Sequence, residues 1–193
     1  VFQFTASIVL IFSIIVIERQ INFAKHNDLG FDKEQLLCFD LPFTFSDEDI
    51  SKVNVLTNKL SENPTIKNIS ASQCVPGDVH FSMGSMIEGK EKLISCIFAD
   101  SNFINTFDIQ LMKGRELHPG DYGQACMINE TAFKYFGWDD LKNKRINSGK
   151  EGGYEVIGVV KDFHVASLHQ PIEPACIIFD IQHVPPSSIS LRI

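Results

Sequence analysis

The stretch Tyr154–Ile181, YEVIGVVKDFHVASLHQPIEPACIIFDI, decides the fold of this 193-residue chain. It begins with a strand predicted over Tyr154–Lys161, where consecutive Val and Ile residues indicate burial on both faces of a sheet. A second strand is predicted over Ala175–Ile181. In the loop between them, Phe163 and Leu168 supply apolar anchors, and two prolines restrict the backbone. We therefore expect a buried strand followed by a loop that packs against the domain.

Working outward toward the N-terminus, a strand, a helix and a second strand are predicted with short connections. The strands are Glu34–Leu41 and Ile66–Ser72, and apolar residues recur at helical spacing between Ser46 and Asn63. This order suggests a right-handed parallel crossover unit.

The rest of the chain alternates short strands and short helices. The last strand ends the chain, so we expect it at a sheet edge or beside a neighbour beyond this sequence. The predicted elements are a hairpin of Ser82–Glu88 and Leu93–Ala99 around Gly89–Glu91, a helix Asp100–Phe107 capped by Asp100, a strand Ile109–Met112, a strand Cys126–Ile128 leading into a helix that ends at Phe136 and Gly137, and a strand Ser188–Ile193.

The first 17 residues, Val1–Ile17, carry no charge. As a helix they rise about 26 Å, against about 30 Å for a bilayer core, so the segment just spans a membrane or is a spanning helix cut short. Two alternatives are a signal peptide, which needs a basic start and a cleavage site, and a buried core helix, which usually keeps a polar face. Residues 18–30 continue as a helical stalk of about three turns, stopped by Gly30.

Charge and cysteine content limit the possible functions. The chain has 24 acidic and 17 basic residues, a net charge of −7, and lacks a basic stripe, which argues against nucleic acid and anionic lipid headgroups as main partners. No two cysteines have CxxC spacing, so zinc-ribbon and redox motifs are excluded. Buried thiols and one structural disulfide both remain open, and the compartment stays undecided. The five cysteines are Cys38, Cys74, Cys96, Cys126 and Cys176.

Catalytic motifs are not found. Gly84–Lys90 matches GxxxxGK, but Glu91 stands where a P-loop needs Ser or Thr, and a strand follows instead of a helix. His164 and His169 are five residues apart, off the shared helix face that metal-binding pairs use. GxSxG and GxGxxG are absent. We predict no catalytic, cofactor-binding or metal-binding residue; Lys161, Asp162 and His164 could form a polar cluster, to which we assign no ligand.

The stretch Ile157–Pro174 resembles the signature segment in the periplasmic core domain of MacB-like/FtsX-like permeases, in the form common in Bacteroidetes. Further segments resemble the same domain in the same order, so that the resemblance covers essentially the whole chain. They are Phe4–Glu18 (membrane helix), Asp28–Gln35 (stalk exit), Asn63-Pro64, Thr106-Phe107 with Gly114-Arg115, Ile128–Glu130 with Phe136–Trp138, and Ser188–Ile193.

The resemblance implies an α+β fold: a transmembrane and stalk helix, then a mixed α/β periplasmic domain. Residues 31–74 and 186–193 would form a porter-like strand-helix-strand subdomain whose second half is incomplete. Residues 75–185 would form an inserted α+β subdomain.

The resemblance also implies a non-catalytic ABC-transporter permease subunit in the bacterial inner membrane, with residues after about 18 in the periplasm. It would pair with a cytoplasmic ATPase and with itself or another permease, and would meet a periplasmic adaptor or outer-membrane partner. Its role would be to couple ATPase-driven helix motion to export or extraction of substrates. The alternatives are the sensor domain of a membrane receptor and, less favoured, a membrane-anchored hydrolase.

Overall fold

The computed structural model describes residues 2–26, 29–42, 47–87, 89–147, 152–181 and 184–193. In chain order the elements are α1 (Phe2–His26), β1 (Leu36–Asp40), α2 (Asp47–Ser61), β2 (Asn68–Ser72), β3 (Ser82–Ile87), β4 (Lys90–Phe98), α3 (Phe103–Phe107), β5 (Leu111–Gly114), a 3-10 turn (Pro119–Asp121), β6 (Ala125–Asn129), α4 (Glu130–Phe136), β7 (Arg145–Ile146), β8 (Tyr154–Val160), β9 (Ala175–Ile178) and β10 (Ser188–Arg192).

Helix α1 leaves its apolar surface uncovered. The segment Phe2–Asn22 is long and apolar enough to cross a membrane, and none of its most apolar 18-residue window is buried inside the chain. Only Val16 is half-buried among residues 2–22. A helix of a water-soluble core would bury an apolar stripe against neighbouring elements, so this exposure disfavours the core-helix alternative. The helix continues past the predicted span to His26, whereas Leu29 and Gly30, at the end of the predicted stalk 18–30, are not helical.

Three strands form a small sheet in the order β1-β10-β2, and β10 is antiparallel to both neighbours. Strands β1 and β2 therefore run parallel, as the crossover prediction requires, but they are not adjacent. The prediction that the last strand lies at an edge or beside a neighbour outside the sequence is wrong, because β10 is central and both its partners belong to this chain. Ile189 of β10 is fully buried in the same apolar cluster as Val53 of α2, as befits a central strand.

Seven strands form the larger, mixed sheet. Its order is β3-β4-β9-β6-β8-β5, with β7 also paired to β8. The pairs β4–β9 and β6–β8 are parallel, and the others are antiparallel. Two apolar layers cover the two faces: Ile157 and Val160 lie in one layer, and Val156 and Val159 lie in the other. The prediction that β8 is buried on both faces is confirmed, and Phe163 after it is fully buried.

Several predicted boundaries need correction. The hairpin is confirmed, but β4 begins at Lys90, before Leu93, because Ile87 and Lys90 are paired; Glu88 lies outside the described residues. The strand predicted from Ile109 begins at Leu111, and the one predicted to Ile181 ends at Ile178. Helix α4 is confirmed: the Asn129 side chain accepts a bond from Ala132 N, and Gly137 ends it in the left-handed conformation.

Helix α3 begins at Phe103, so its N-cap position is Asn102 and not Asp100 as predicted, and the Asn102 side chain makes no capping bond. The Asp100 carboxylate accepts a bond of 3.0 Å from Asn102 N at the start of this helix. It also accepts bonds from Ser70 Oγ and Ala71 N of β2, both at 2.8 Å. Burial raises the pKa of Asp100, and these hydrogen bonds oppose that shift. Asp100 therefore joins the small sheet to the larger one.

We predict that Ile189→Ala lowers the free energy of unfolding by about 2–5 kcal/mol, because the deletion leaves a cavity in the apolar cluster that β10 shares with β2 and α2. The matched control is Leu37→Ala on the neighbouring β1, where the side chain is 50% exposed; its effect should stay within about 0.5 kcal/mol. Urea unfolding followed by circular dichroism measures both. Equal effects would contradict the central placement of β10.

Candidate functional site at the helix–domain junction

The segment that leaves α1 is bonded to the loop after β8. His164 N donates a hydrogen bond of 2.9 Å to the carbonyl oxygen of Leu29. The next residue, Gly30, has φ +77° and lies so close to this loop that a Cβ would overlap the Asp162 carbonyl and the Phe163 backbone. Only glycine combines this conformation with so close an approach. The segment that follows α1 is therefore in close backbone contact with the loop after β8.

The following two residues bind the exit segment to α3. The rings of Phe31 and Phe107 meet edge to face, with centroids 6.0 Å apart and an interplanar angle of 84°. Such pairs contribute about 0.5–1.5 kcal/mol beyond their buried area. Asp32 N also donates to the Phe107 carbonyl at 3.0 Å. Because Phe107 is buried in the core, these contacts connect the exit segment to the interior of the domain.

Arg192, at the end of β10, holds the same segment from a third side. Its Nη1 donates to Asp32 Oδ2 at 2.8 Å, its Nη2 to the Asp32 carbonyl at 2.9 Å, and its Nε to the Thr106 carbonyl at 2.8 Å. The guanidinium is largely buried, with 12% of the side chain exposed. Its planar fork of donors suits three acceptors in fixed positions. One side chain thus ties the exit segment, α3 and β10 together.

The loop that receives the helix exit is fixed at both ends by the start of α4. At its beginning, the Asp162 carboxylate accepts bonds of 2.8 Å from both Thr131 N and Thr131 Oγ1. At its end, Asn129 Nδ2 donates to the Glu173 carbonyl at 2.9 Å, and Ala175 N donates to Asn129 Oδ1 at 3.0 Å. The loop is therefore held as part of the scaffold. We call the exit segment 29–34, Thr106, Phe107, the loop 161–164 and Arg192 the junction.

The middle of the loop faces the helix. A groove of about 880 Å³ lies between α1 and this loop. Its apolar lining comes mainly from α1, with Leu168 on the loop side, and on α1 it lies where the predicted membrane span meets the stalk. The lining residues are Val16, Ile17, Arg19, Gln20, Ile21, Ser167, Leu168 and His169.

The structure places Lys161, Asp162 and His164 next to one another in the junction, where main-chain groups make the connections. Lys161 N donates to the Gln110 carbonyl at 2.8 Å, and His164 N donates to Leu29. The Asp162 carboxylate is engaged by Thr131. These contacts support a connecting role for the segment.

Within the described ranges, no group of three or more His, Cys, Asp or Glu side chains could hold a metal ion. Gly84–Ile87 and Lys90 lie in the paired strands β3 and β4, and no helix begins at Lys90, which agrees with our rejection of a P-loop. The prediction that the chain has no catalytic, cofactor or metal site stays a prediction.

Sequence reasoning missed the junction as a unit. The sequence pattern indicates Gly30 only as a helix stop, and Asp32 and Arg192 stand out only as members of two segments of the resemblance. These residues are 160 positions apart, and no local period links them. The family resemblance contains a signal for the junction. Four of the segments that resemble the family meet at the junction: the exit segment, Thr106-Phe107, the loop after β8 and the last strand.

We predict that Gly30→Ala destabilises the chain more than Gly89→Ala. Both glycines have φ +77°, but a Cβ at Gly89 would meet nothing within 4 Å. The conformational penalty of about 1–2 kcal/mol is shared, and Gly30→Ala adds roughly 1–3 kcal/mol of overlap with the loop. Urea unfolding of both variants measures the difference. Equal losses of unfolding free energy in the two variants would mean that the loop moves to accommodate the added Cβ at position 30 without cost.

We also predict a pH-dependent contribution from Asp32. The Glu34 N–H bond, with help from Arg192, lowers the pKa of this carboxyl below its ordinary value of 3.8. A depressed pKa stabilises the folded state above that value, and the stabilisation disappears as pH falls through the folded-state pKa. Unfolding free energy measured from pH 6 to pH 2.5 should fall less steeply in Asp32→Asn than in the wild type. Parallel curves would show that the ionised carboxylate adds nothing.

Comparisons with known proteins come from structure alone, because the sequence matches no family model and no curated protein. The periplasmic region of MacB from Actinobacillus actinomycetemcomitans superposes with a TM-score of 0.59 at 17% identity, covering 87% of this chain and 78% of that one. The extracellular domain of the noncanonic ABC-type transporter YknZ from Gram-positive bacteria gives 0.53 at 20% identity, covering 80% of each chain.

A third solved structure is a domain of a putative permease protein from Porphyromonas gingivalis. It gives a TM-score of 0.52 at 17% identity and covers 70% of this chain and 60% of that one. All three identities are too low to carry over an activity, but the shared architecture is extensive. The chain therefore combines an N-terminal apolar helix with the mixed α/β fold of the MacB-type ABC-transporter periplasmic domain.

Proposed function

We propose that this chain is the membrane-anchored, extracytoplasmic part of an ABC-transporter permease subunit, and that it transmits displacement of α1 to the domain. The observation that carries the proposal is the junction, where the exit from the helix is bound on three sides. The fold shared with transporter domains supports the general assignment. The uncovered apolar helix supports a membrane anchor.

Transmission requires that the domain cannot swivel freely on the helix. Backbone bonds at Leu29 and Asp32 and the Arg192 fork restrain the exit segment in different directions. Each neutral hydrogen bond contributes about 0.5–1.5 kcal/mol net, and those to charged groups about 1.5–3 kcal/mol. Together they make rotation about the exit segment costly. A shift of the helix would therefore move the domain as a body, which is the behaviour of a rigid lever.

The junction touches both sheets. Gly30 contacts the loop that follows β8 of the larger sheet. Phe31 contacts Phe107 of α3, a helix that packs against β2 and β10 of the small sheet and also shares an apolar cluster with β8. Arg192 extends from β10, the central strand of the small sheet. This agrees with our proposed division into a porter-like subdomain, 31–74 and 186–193, and an inserted subdomain, 75–185. Motion of α1 would then be delivered to both subdomains at once.

The remaining partners follow from the same proposal. The chain has no Walker motif, so the ATPase that drives the motion would be a separate chain or domain on the cytoplasmic side. Residues after about 18 would lie in the periplasm of a bacterial inner membrane. A second permease copy and an adaptor or outer-membrane protein are expected partners. The chain itself would perform no catalysis.

We predict that Phe23→Pro abolishes transport while membrane insertion persists. Proline in a helix interior costs about 3 kcal/mol or more and kinks the helix, which would interrupt the lever between membrane and junction. Phe23→Leu is the matched control because it keeps the helix intact.

Both variants are tested in cells that contain the complete transporter, with substrate export and carbonate-resistant membrane association as readouts. Loss of export in Phe23→Pro alone supports transmission through a continuous helix. Normal export in that variant would contradict it.

A further inference from the structure

Two cysteines face each other across neighbouring strands of the larger sheet. Cys96 on β4 and Cys176 on β9 are direct partners in the parallel register. Their sulfur atoms are 3.1 Å apart, and both side chains are fully buried. The strands that carry them are 80 residues apart in sequence, so the pair exists only because the fold brings it together.

The spacing of this pair is compatible with a disulfide. Adjacent strands lie about 4.8 Å apart, which falls within the range of about 4.4–6.8 Å that Cα atoms of disulfides span. An S–S bond is about 2.05 Å long, so the two sulfur atoms must approach by roughly 1 Å. Side-chain rotation supplies such a movement without displacing the strands.

The other three cysteines lack this arrangement. Cys126 on β6 is paired in register with Ile178, not with a cysteine. Cys38 lies in the small sheet and is exposed, and Cys74 lies in the segment after β2 and is half-buried. All five cysteines are free thiols in the structure, and the sulfur–sulfur contact within it joins Cys96 and Cys176.

We propose that Cys96 and Cys176 form a disulfide as the domain folds outside the cytoplasm, an inference that rests on the location given under Proposed function. The oxidant is a disulfide R–S–S–R, either of a protein thiol oxidase or of a small molecule. One cysteine thiolate attacks a sulfur of the oxidant and releases R–S⁻, giving a mixed disulfide. The second thiolate then displaces the other R–S⁻. The two cysteine protons end on the two released R–SH groups, and the oxidant receives both electrons.

Burial decides when this reaction takes place. In the folded domain neither sulfur reaches solvent, and the hydrogen bond with Cys96, together with desolvation, raises the pKa of the Cys176 thiol. Attack requires a thiolate in contact with the oxidant, so the bond forms once β4 and β9 have paired but before the apolar layer that buries both sulfur atoms has closed over them. Afterwards the same burial protects it from reductants.

The bond would strengthen the part of the domain that receives the helix. Cys176 lies two residues after Pro174, at the end of the loop whose start contacts Gly30. A link to β4 would fix this end of the loop covalently. It would also restrain the unfolded chain over a long loop, which generally stabilises a fold.

The test uses the full chain, refolded in detergent with oxidised glutathione and then alkylated in denaturant without reductant. We expect three alkylated cysteines, against five after reduction, and a linked peptide pair that contains Cys96 and Cys176. Cys126→Ser should show two without reductant and keep the linked pair. Cys96→Ser and Cys176→Ser should each show four. The oxidised chain should melt about 10 °C above the reduced one.

Five alkylated cysteines without reductant, or a link that includes Cys126, would overturn the proposal. A parallel measurement on chains alkylated inside bacterial cells separates it from the proposed location. The linked pair in cells supports both. A pair that forms with glutathione but is reduced in cells would overturn the extracytoplasmic location, while the pairing of the two cysteines would stand.

Discussion

The close approach of Gly30 to the backbone of Asp162 and Phe163 is the constraint on which the rest of the molecule depends. A chain leaving a membrane helix can meet its domain through a loose linker or through a packed contact. Here a positive-φ glycine lets the backbone lie directly on the loop, and the next residues continue into the core through Phe31 and the Asp32–Arg192 pair. The helix exit is thus part of the folded domain.

The sheet topology makes this contact possible. Because β10 returns to the centre of the small sheet, Arg192 emerges at the end where the exit segment passes. Because β8 is buried on both faces, the loop that follows it starts from a rigid position, with Phe163 fully buried beneath it. Asn129 and Thr131 at the start of α4 then hold both ends of that loop. The hydrogen bonds at the start of α4 and the long-range order of the strands therefore position the same region, the loop after β8 and Arg192.

Much of this architecture was predictable from local patterns. The uncharged start of the chain, the Val- and Ile-rich β8, and helix α4 between Asn129 and Gly137 each carry their signal within a few residues. The position of β10 between β1 and β2 was not predictable, because alternation along a strand does not choose its partners. The bonds of Asp100 to β2 were not predictable either, for a different reason. An acidic residue just before a helix matches the pattern of a local cap, which gives no sign of a distant partner. The junction joins positions 30, 32, 162 and 192, and only the folded chain brings them together.

The most direct test of the account is residue-resolved hydrogen exchange of the full chain in detergent. The amides of Asp32 and His164 donate to Phe107 and Leu29 across the junction. If the helix exit belongs to the folded core, both should exchange with the same opening free energy as the amides of β8. If they exchange as fast as exposed loop amides while β8 stays protected, the junction opens independently, and the domain is tethered to its helix without being moved by it.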